Sequence, residues 1–204
     1  MVIQKEAGHP KSRPARKRGR PTEDERIERR SQILAAALPV FLQNGFGATT
    51  IEQLAVAARV TKRTIYSYFG DKAGVFAAMV RILATTVSTD APDEDTLESL
   101  AARIVYRLHS AELTGLHRLV IAESTRFPEL AVTLHDNGDA RHIARLAEHL
   151  RAERGENTVR LAQPLFTLLL GEEHRKRLLG LLGAPTADEA VAHARAALET
   201  LQLR

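Results

Sequence analysis

The sequence predicts an all-α fold. Apolar residues recur at steps of three and four along nearly the whole chain, which is the period of a helix with one buried face. The composition is 44% hydrophobic but only 4% aromatic, so the apolar mass is Ala, Leu, Ile and Val, and strand-like alternation is scarce. Thr, Ser or Asp residues precede several of these stripes and Gly follows them, as helix caps and stops do. At 204 residues the chain is long enough for one or two domains with a sizeable core. No run approaches the ~20 apolar residues of a membrane span. The basic, proline-bearing N-terminus lacks the apolar segment of a secretory signal, and there is no Cys for disulfide or thiol chemistry. The expectation is a cytoplasmic protein with no cofactor.

The net charge of +4 is unevenly spread: residues 1 to 80 carry 14 Lys+Arg against 7 Asp+Glu, and the remainder carries 15 against 18. A basic N-terminal part on a mildly acidic remainder is the electrostatic footprint of a nucleic-acid-binding module joined to something that does other work. Residues 1–22 form a basic arm with Lys5, Lys11, Arg13, Arg16, Lys17, Arg18 and Arg20 against Glu6, plus three prolines and two glycines, and are expected to be disordered when free. Arg18-Gly19-Arg20-Pro21 is similar to an AT-hook core, in which Gly lets the backbone sink into a narrow minor groove and the arginines meet its negative potential. The other reading of the arm is a polycation held near phosphates.

The first helix is expected over Glu23 to Asn44, with Ile27, Leu34, Leu38, Phe41 and Leu42 as its stripe, Asn44-Gly45 as its stop and a kink at Pro39. Thr49 and Glu52 read as a capping box, starting helix two near Thr50, with Ile51, Leu54, Ala55 and Ala58 buried. After Arg59 and Val60, Thr61 caps a short third helix in which Ile65 and Phe69 face inward. Lys62, Arg63, Thr64, Tyr66, Ser67 and Tyr68 are left mostly outside. On a helix laid in the major groove, cations and hydroxyls near its N-terminus reach base edges, and aromatic rings pack on sugars or thymine methyls. Asp71 reads as the cap of helix four, and Lys72 in its first turn is placed to bond a phosphate. The predicted DNA-facing set is Arg18, Arg20, Thr50, Thr61, Lys62, Arg63, Thr64, Tyr66, Tyr68 and Lys72.

Gly45, Ala48-Thr49-Thr50-Ile51, Leu54-Ala55, Ala58, Val60-Thr61, Ile65-Tyr66, Tyr68-Phe69 and Asp71-Lys72 together resemble the tetracycline-repressor (TetR) family motif, over about Ile27 to Val80. The resemblance implies a helix-turn-helix DNA-binding domain over 23–80 and a ligand-sensing and dimerisation domain over 81–204. It also implies that Lys72 contacts the DNA backbone rather than a base. Two positions depart from the pattern: Arg59 stands where the family usually has Gly in the turn, and Ala73 where it usually has Glu.

Helix four continues through Val75, Phe76, Met79 and Leu83 as the link between the halves. A turn is expected around Ser88 to Asp93, then helix five on Leu97, Leu100, Ile104 and Leu108, helix six on Leu113, Leu116, Val120 and Phe127, and helix seven from Pro128 toward Arg151, ending near Gly155. The stretch from His117 to Gly171 is similar to the AefR-like C-terminal regions of TetR-type regulators. Helix eight, near Thr158 to Leu182, is apolar around most of its circumference for three turns, and helix nine opens with the capping box Thr186 to Glu189 and carries Ala190, Ala194, Ala197 and Leu198. The pair reads either as a four-helix homodimer interface or as intrachain core.

Polar groups on apolar stripes mark a candidate small-molecule pocket. His117 and Ser124 lie seven apart on helix six with Glu123 at the edge, and Phe166, Met79 and Ile104 are candidate apolar walls. The other reading of His117, and the one its apolar stripe favours, is a satisfied core histidine. The resulting functional expectation is a DNA-binding transcriptional regulator, a ligand-responsive repressor binding a near-palindromic operator as a homodimer. Two rival readings stand beside it: an architectural AT-rich DNA-binding protein, resting on the arm, and a helical metal-dependent phosphohydrolase, resting on His135-Asp136. Against the second, His135, His142 and His149 are seven apart, about 10 Å per step along a helix, too far to share one metal.

Overall fold

The computed structural model describes residues 22–89 and 96–203, without the side chains of 84–89. Arg18, Arg20 and most of the turn expected after Ser88 lie outside the described residues. Those residues form ten α-helices and no strand: α1 Glu23–Ala48, α2 Ile51–Ala57, α3 Lys62–Phe69, α4 Lys72–Thr89, α5 Leu97–Leu108, α6 Ala111–Glu123, α7 Pro128–Leu134, α8 Ala140–Arg154, α9 Ala162–Leu178 and α10 Ala187–Thr200. No helix among them is long and apolar enough to cross a membrane.

Local chemistry sets the boundaries. Thr22 and Glu25 close a capping box at the start of α1. The helix passes through exposed Pro39 and leaves helical geometry at Gly45 (φ 78°, ψ 163°), the stop that Asn44-Gly45 predicts. The α2 cap is one residue later than expected: Thr50, not Thr49, accepts from the Gln53 amide, and the Gln53 side chain bonds back to the Thr50 amide, so Gln53 replaces Glu52 as the partner. Thr49 is buried and donates its hydroxyl to the Gly45 carbonyl at 2.7 Å, which fixes the connection between α1 and α2. Thr61 caps α3, and Asp71 accepts from the Gly74 amide at 2.7 Å as the α4 cap.

The α2–α3 turn answers the question raised by Arg59. Its φ is +53°, and the Arg59 amide donates to the Val56 carbonyl while the Val60 amide donates to Ala55, the paired bonds that end a helix through a left-handed residue. Arginine is held in a conformation that favours glycine, at a cost of ~1–2 kcal/mol.

The N-terminal helices pack on Phe41, Phe46 and Phe76, whose ring centroids lie 5.6–5.8 Å apart. Gly74 brings α3 and α4 together, since a Cβ there would sit 1.9 Å from the Phe69 carbonyl oxygen. Gly115 does the same for α6 and α1, where a Cβ would meet the Leu42 side chain at 3.2 Å.

Beyond α6, the single helix expected from Pro128 to Arg151 runs as α7 and α8 with a π turn, His135–Asp139, between them and packed on α4. The helix expected near Thr158 begins as a 3-10 segment, Glu156–Leu161, continues as α9 and breaks at Gly171 (φ 56°). At that break His193 Nε2 donates to the Leu168 carbonyl at 2.9 Å from α10. The α10 stripe Ala190, Ala194, Ala197 and Leu198 is buried within the chain, largely against α5.

Arg59→Gly is expected to raise the unfolding free energy by up to ~1 kcal/mol, part of the relieved strain being offset by the greater entropy of unfolded glycine, and to raise Tm by ~2–4 °C. Thermal unfolding of the two proteins checks it.

Candidate nucleic-acid interface and inner pocket

The α3 helix stands on its buried Ile65, which is fully inaccessible, with Phe69 partly buried behind it. The cap at Thr61 orients the first turn, and Lys62, Arg63, Tyr66 and Ser67 are exposed, with Thr64 and Tyr68 half-buried. Lys62 reaches Glu52 of α2 at 3.1 Å, an exposed pair that contributes little to stability and leaves the ammonium free to exchange partners. Thr50 is exposed at the α2 N-terminus with its side chain in the capping box. One groove, lined by Arg26, Arg29, Thr61, Arg63, Thr64, Ser67 and Tyr68, joins α1 to α3. Sequence reading missed Arg26 and Arg29; both follow acidic residues in the α1 first turns, and only the packing of α1 beside α3 puts them on this face.

Lys72 faces inward. Its ammonium donates to the carbonyls of Phe46 (2.7 Å), Gly47 (3.0 Å) and Thr49 (2.8 Å) and lies 4.6 Å from the centre of the Phe46 ring. All three N–H groups are thereby used, so in this conformation the side chain does not extend toward a phosphate. Burial lowers its pKa, opposed by the charge of Glu123 and reinforced by that of Arg126.

Glu123 belongs to the same junction. From the end of α6 its Oε1 accepts from the Gly47 amide at 3.0 Å, and Phe127 packs edge-on against Phe46 at 4.9 Å. Ser124 terminates α6 and donates its hydroxyl to the Ile121 carbonyl. Glu123 and Ser124 thus sit where α6 meets the α1–α2 connection, away from His117.

His117 lines a small, mostly apolar cavity of about 10 Å³ with Leu83, Leu113, Leu134, Asp139 and His142. That volume admits about one water. Phe166 adjoins through His142, whose ring stacks on it at 6.2 Å, while Met79 and Ile104 are buried in the surrounding core without lining the cavity. The π turn supplies Asp139, whose pKa is raised by burial and lowered less by His135.

His117 is also a satisfied core histidine, as one of the two sequence readings has it. Its Nδ1 pairs with His174 Nε2 at 2.9 Å, so the two nitrogens share one proton. His109 lies tilted against His174 with centroids 5.1 Å apart and accepts from the Arg177 guanidinium through Nδ1 at 3.1 Å. Burial is the largest cause of the lowered pKa values of these imidazoles: His109, His117 and His142 fall to about 4 and His174 to about 3. Neighbouring cations add to the shift at His109 and His174, chiefly Arg177 at the former and the other histidines at the latter. Among the described residues no group of three or more His, Asp or Glu is arranged to hold a metal ion.

Residues 33–79 match the family model for bacterial regulatory proteins of the tetR family, and residues 95–203 match the model for the C-terminal domain of AefR-like transcriptional repressors. The transcriptional repressor SCO4008 of Streptomyces coelicolor is 28% identical over 69% of this chain and 73% of its own length. The regulator HbdR of Aromatoleum sp. is 38% identical over 32% of this chain, a match that spans only 28% of that relative. A TetR-family regulator structure from Mesorhizobium loti superposes with a TM-score of 0.66 at 27% identity, over 88% of this chain and 96% of that one.

The buried imidazoles make stability depend on pH. Their folded pKa values lie below the unfolded value near 6.5, so the unfolded chain binds more protons as pH falls, and stability present above pH 6.5 is lost on the way to pH 4. Denaturant unfolding at stepped pH is expected to show a loss of at least ~2 kcal/mol between pH 6.5 and 5. A flat profile over that range would mean that these rings reach water.

Proposed function

Because the chain belongs to the TetR family of bacterial transcriptional regulators, we propose that it acts as a ligand-responsive repressor, binding a near-palindromic operator as a homodimer. The reading divides the chain at Val80 into a DNA-binding unit and a sensing and dimerisation unit. The observation that carries it is the exposed first turn of α3, capped by Thr61 and anchored by Ile65, beside the arginines of α1. Lys62 and Arg63 would read base edges, while Arg26 and Arg29 would position the unit on phosphates.

The dimer would form through α9 and α10, the expected helices eight and nine. Since the Ala190 and Ala194 side of α10 is filled by the chain itself, the partner would meet the opposite side, where Ala192, Ala196 and Thr200 are exposed, as are Pro164, Thr167 and Gly171 of α9. Small residues let two helix pairs approach closely. An isologous contact there would present α3 twice, and half-sites spaced by whole duplex turns would follow.

The ligand would enter between α4, α6 and α8, near His117 and His142. A cavity of about 10 Å³ is too small for it, so entry requires α4 or the π turn to move. The ligand would shift the equilibrium by its differential affinity for the opened state. Displacement of α6 would reach the reader through Glu123 and the Gly47 amide, as well as through α4.

Footprinting on genomic fragments upstream of the chain's own gene tests the reading: a discrete near-palindromic footprint supports it, and smooth coating of AT-rich DNA supports the architectural rival. Lys62→Ala and Arg63→Ala are expected to cost ~1–3 kcal/mol of discrimination between operator and altered sites. By contrast, Arg29→Ala should weaken every sequence alike and reduce the salt slope by about 1. Glu123→Ala should change operator affinity without altering base preference, read by titrating the same panel of sites. A changed preference in that variant would place Glu123 at the DNA instead.

A further inference from the structure

A second cavity lies at the other end of α6, between the α5–α6 turn, the C-terminal end of α9 and the segment that follows it. Its volume is about 140 Å³, and His109, Ala111, Thr114, Arg118, Arg177 and Leu182 are among its lining residues. Nothing in the DNA-binding reading uses it.

The chemistry of its walls is unbalanced. Arg177 is buried, yet its described bonds engage only two of its three nitrogens: Nε donates to the Gly183 carbonyl at 2.8 Å, and Nη1 to Glu173 at 3.0 Å and to His109. The Nη2 group donates to no described residue. Thr114 is 4% exposed and its hydroxyl has no hydrogen-bond partner. A buried hydroxyl left unpaired costs ~1–3 kcal/mol. Arg118 spends Nε on the Leu178 carbonyl and Nη2 on the Arg177 carbonyl, leaving Nη1 without a described bond. Ala111 opens α6, so the positive end of a thirteen-residue helix adds to the two guanidinium charges. Against them stands Glu173, paired with Arg177, while exposed Glu112 of the same helix turn is not among the lining residues.

Donors in excess of acceptors, two of them on cations, call for anionic oxygen. Leu182, Ala111 and Ala184 make part of the wall apolar, which suits a hydrocarbon stub better than a fully oxygenated ion. On the scale by which the His117 cavity admits about one water, this volume admits roughly ten, room for a small organic ion. We propose that this cavity binds a small aliphatic carboxylate of about two to four carbons, its oxygens accepting from Arg177 Nη2, the Thr114 hydroxyl and Arg118 Nη1. The site stands independently of the operator reading and of the pocket at His117.

The test is calorimetric titration of the full-length protein with acetate, propionate and butyrate, against chloride at matched ionic strength and against inorganic phosphate. Saturable binding of at least one carboxylate, stronger than chloride or phosphate, is expected. Because Arg177 also holds the Gly183 segment, the discriminating variants leave it intact. Thr114→Val removes the unpaired hydroxyl, so it should leave the ligand-free melting temperature unchanged or raise it while weakening carboxylate binding about fivefold to tenfold. Ala184→Leu, at an exposed position on the rim, should abolish binding by filling the space. Three results overturn the proposal: no saturable carboxylate binding, phosphate binding as tightly as any carboxylate, or carboxylate binding unchanged in both variants.

Discussion

The connection between α1 and α2 is held from behind by a single half-buried ammonium. Residues 46–49 turn three carbonyls to one side, and Lys72 donates to all three, while Glu123 accepts the Gly47 amide from the opposite direction. A carbonyl left unsatisfied in such a place costs on the order of 1–3 kcal/mol, so the lysine adds to the hold of the Thr49 to Gly45 bond on the turn. The orientation of α2 follows from that shape, and α3 is tied to α2 by the strained turn at Arg59. The α2–α3 pair is therefore positioned by an ion at its back, and that ion lies within the field of a carboxylate carried by α6.

That arrangement places α6 against both the α1–α2 region and the C-terminal helices. Through Gly115 it rests against Leu42 of α1, and through Glu123, Arg126 and Phe127 it reaches the turn beyond α1. At its middle, His117 meets His174 of α9 and the wall shared with His142. A helix bonded at one end to the DNA-binding unit and packed in its middle against the candidate pocket is a short mechanical path. It runs parallel to the covalent path along α4.

Most of the fold was legible because caps and stripes are local. Thr61, Asp71, Thr186 and Gly45 mark helix ends through bonds within three or four residues, and the apolar stripes needed only periodicity. The α2 cap slipped by one because Thr49 and Thr50 carry the same hydroxyl, and only the backbone decides which faces the helix. The π turn has no compositional signature, since one extra residue per turn changes no side-chain type. At the candidate sites the unread features were long-range: the Glu123 to Gly47 bond spans 76 residues and the His117 to His174 pair 57. Glu123 looked like the rim of a pocket because its true partner is a backbone amide, which any residue could have supplied. Lys72 looked outward because a cap position and a helix dipole say nothing about the carbonyls waiting behind it.

The missing side chain at Gly74 limits how the molecule can move. With the Phe69 carbonyl occupying the space a methyl group would take, α3 and the first turn of α4 have no slack between them and no room to shear. Torque applied along the α4 shaft therefore passes to α3 without play at this contact. In a twofold assembly, even a small angular displacement at the far end of that shaft is multiplied by its length into a change of span between the two heads.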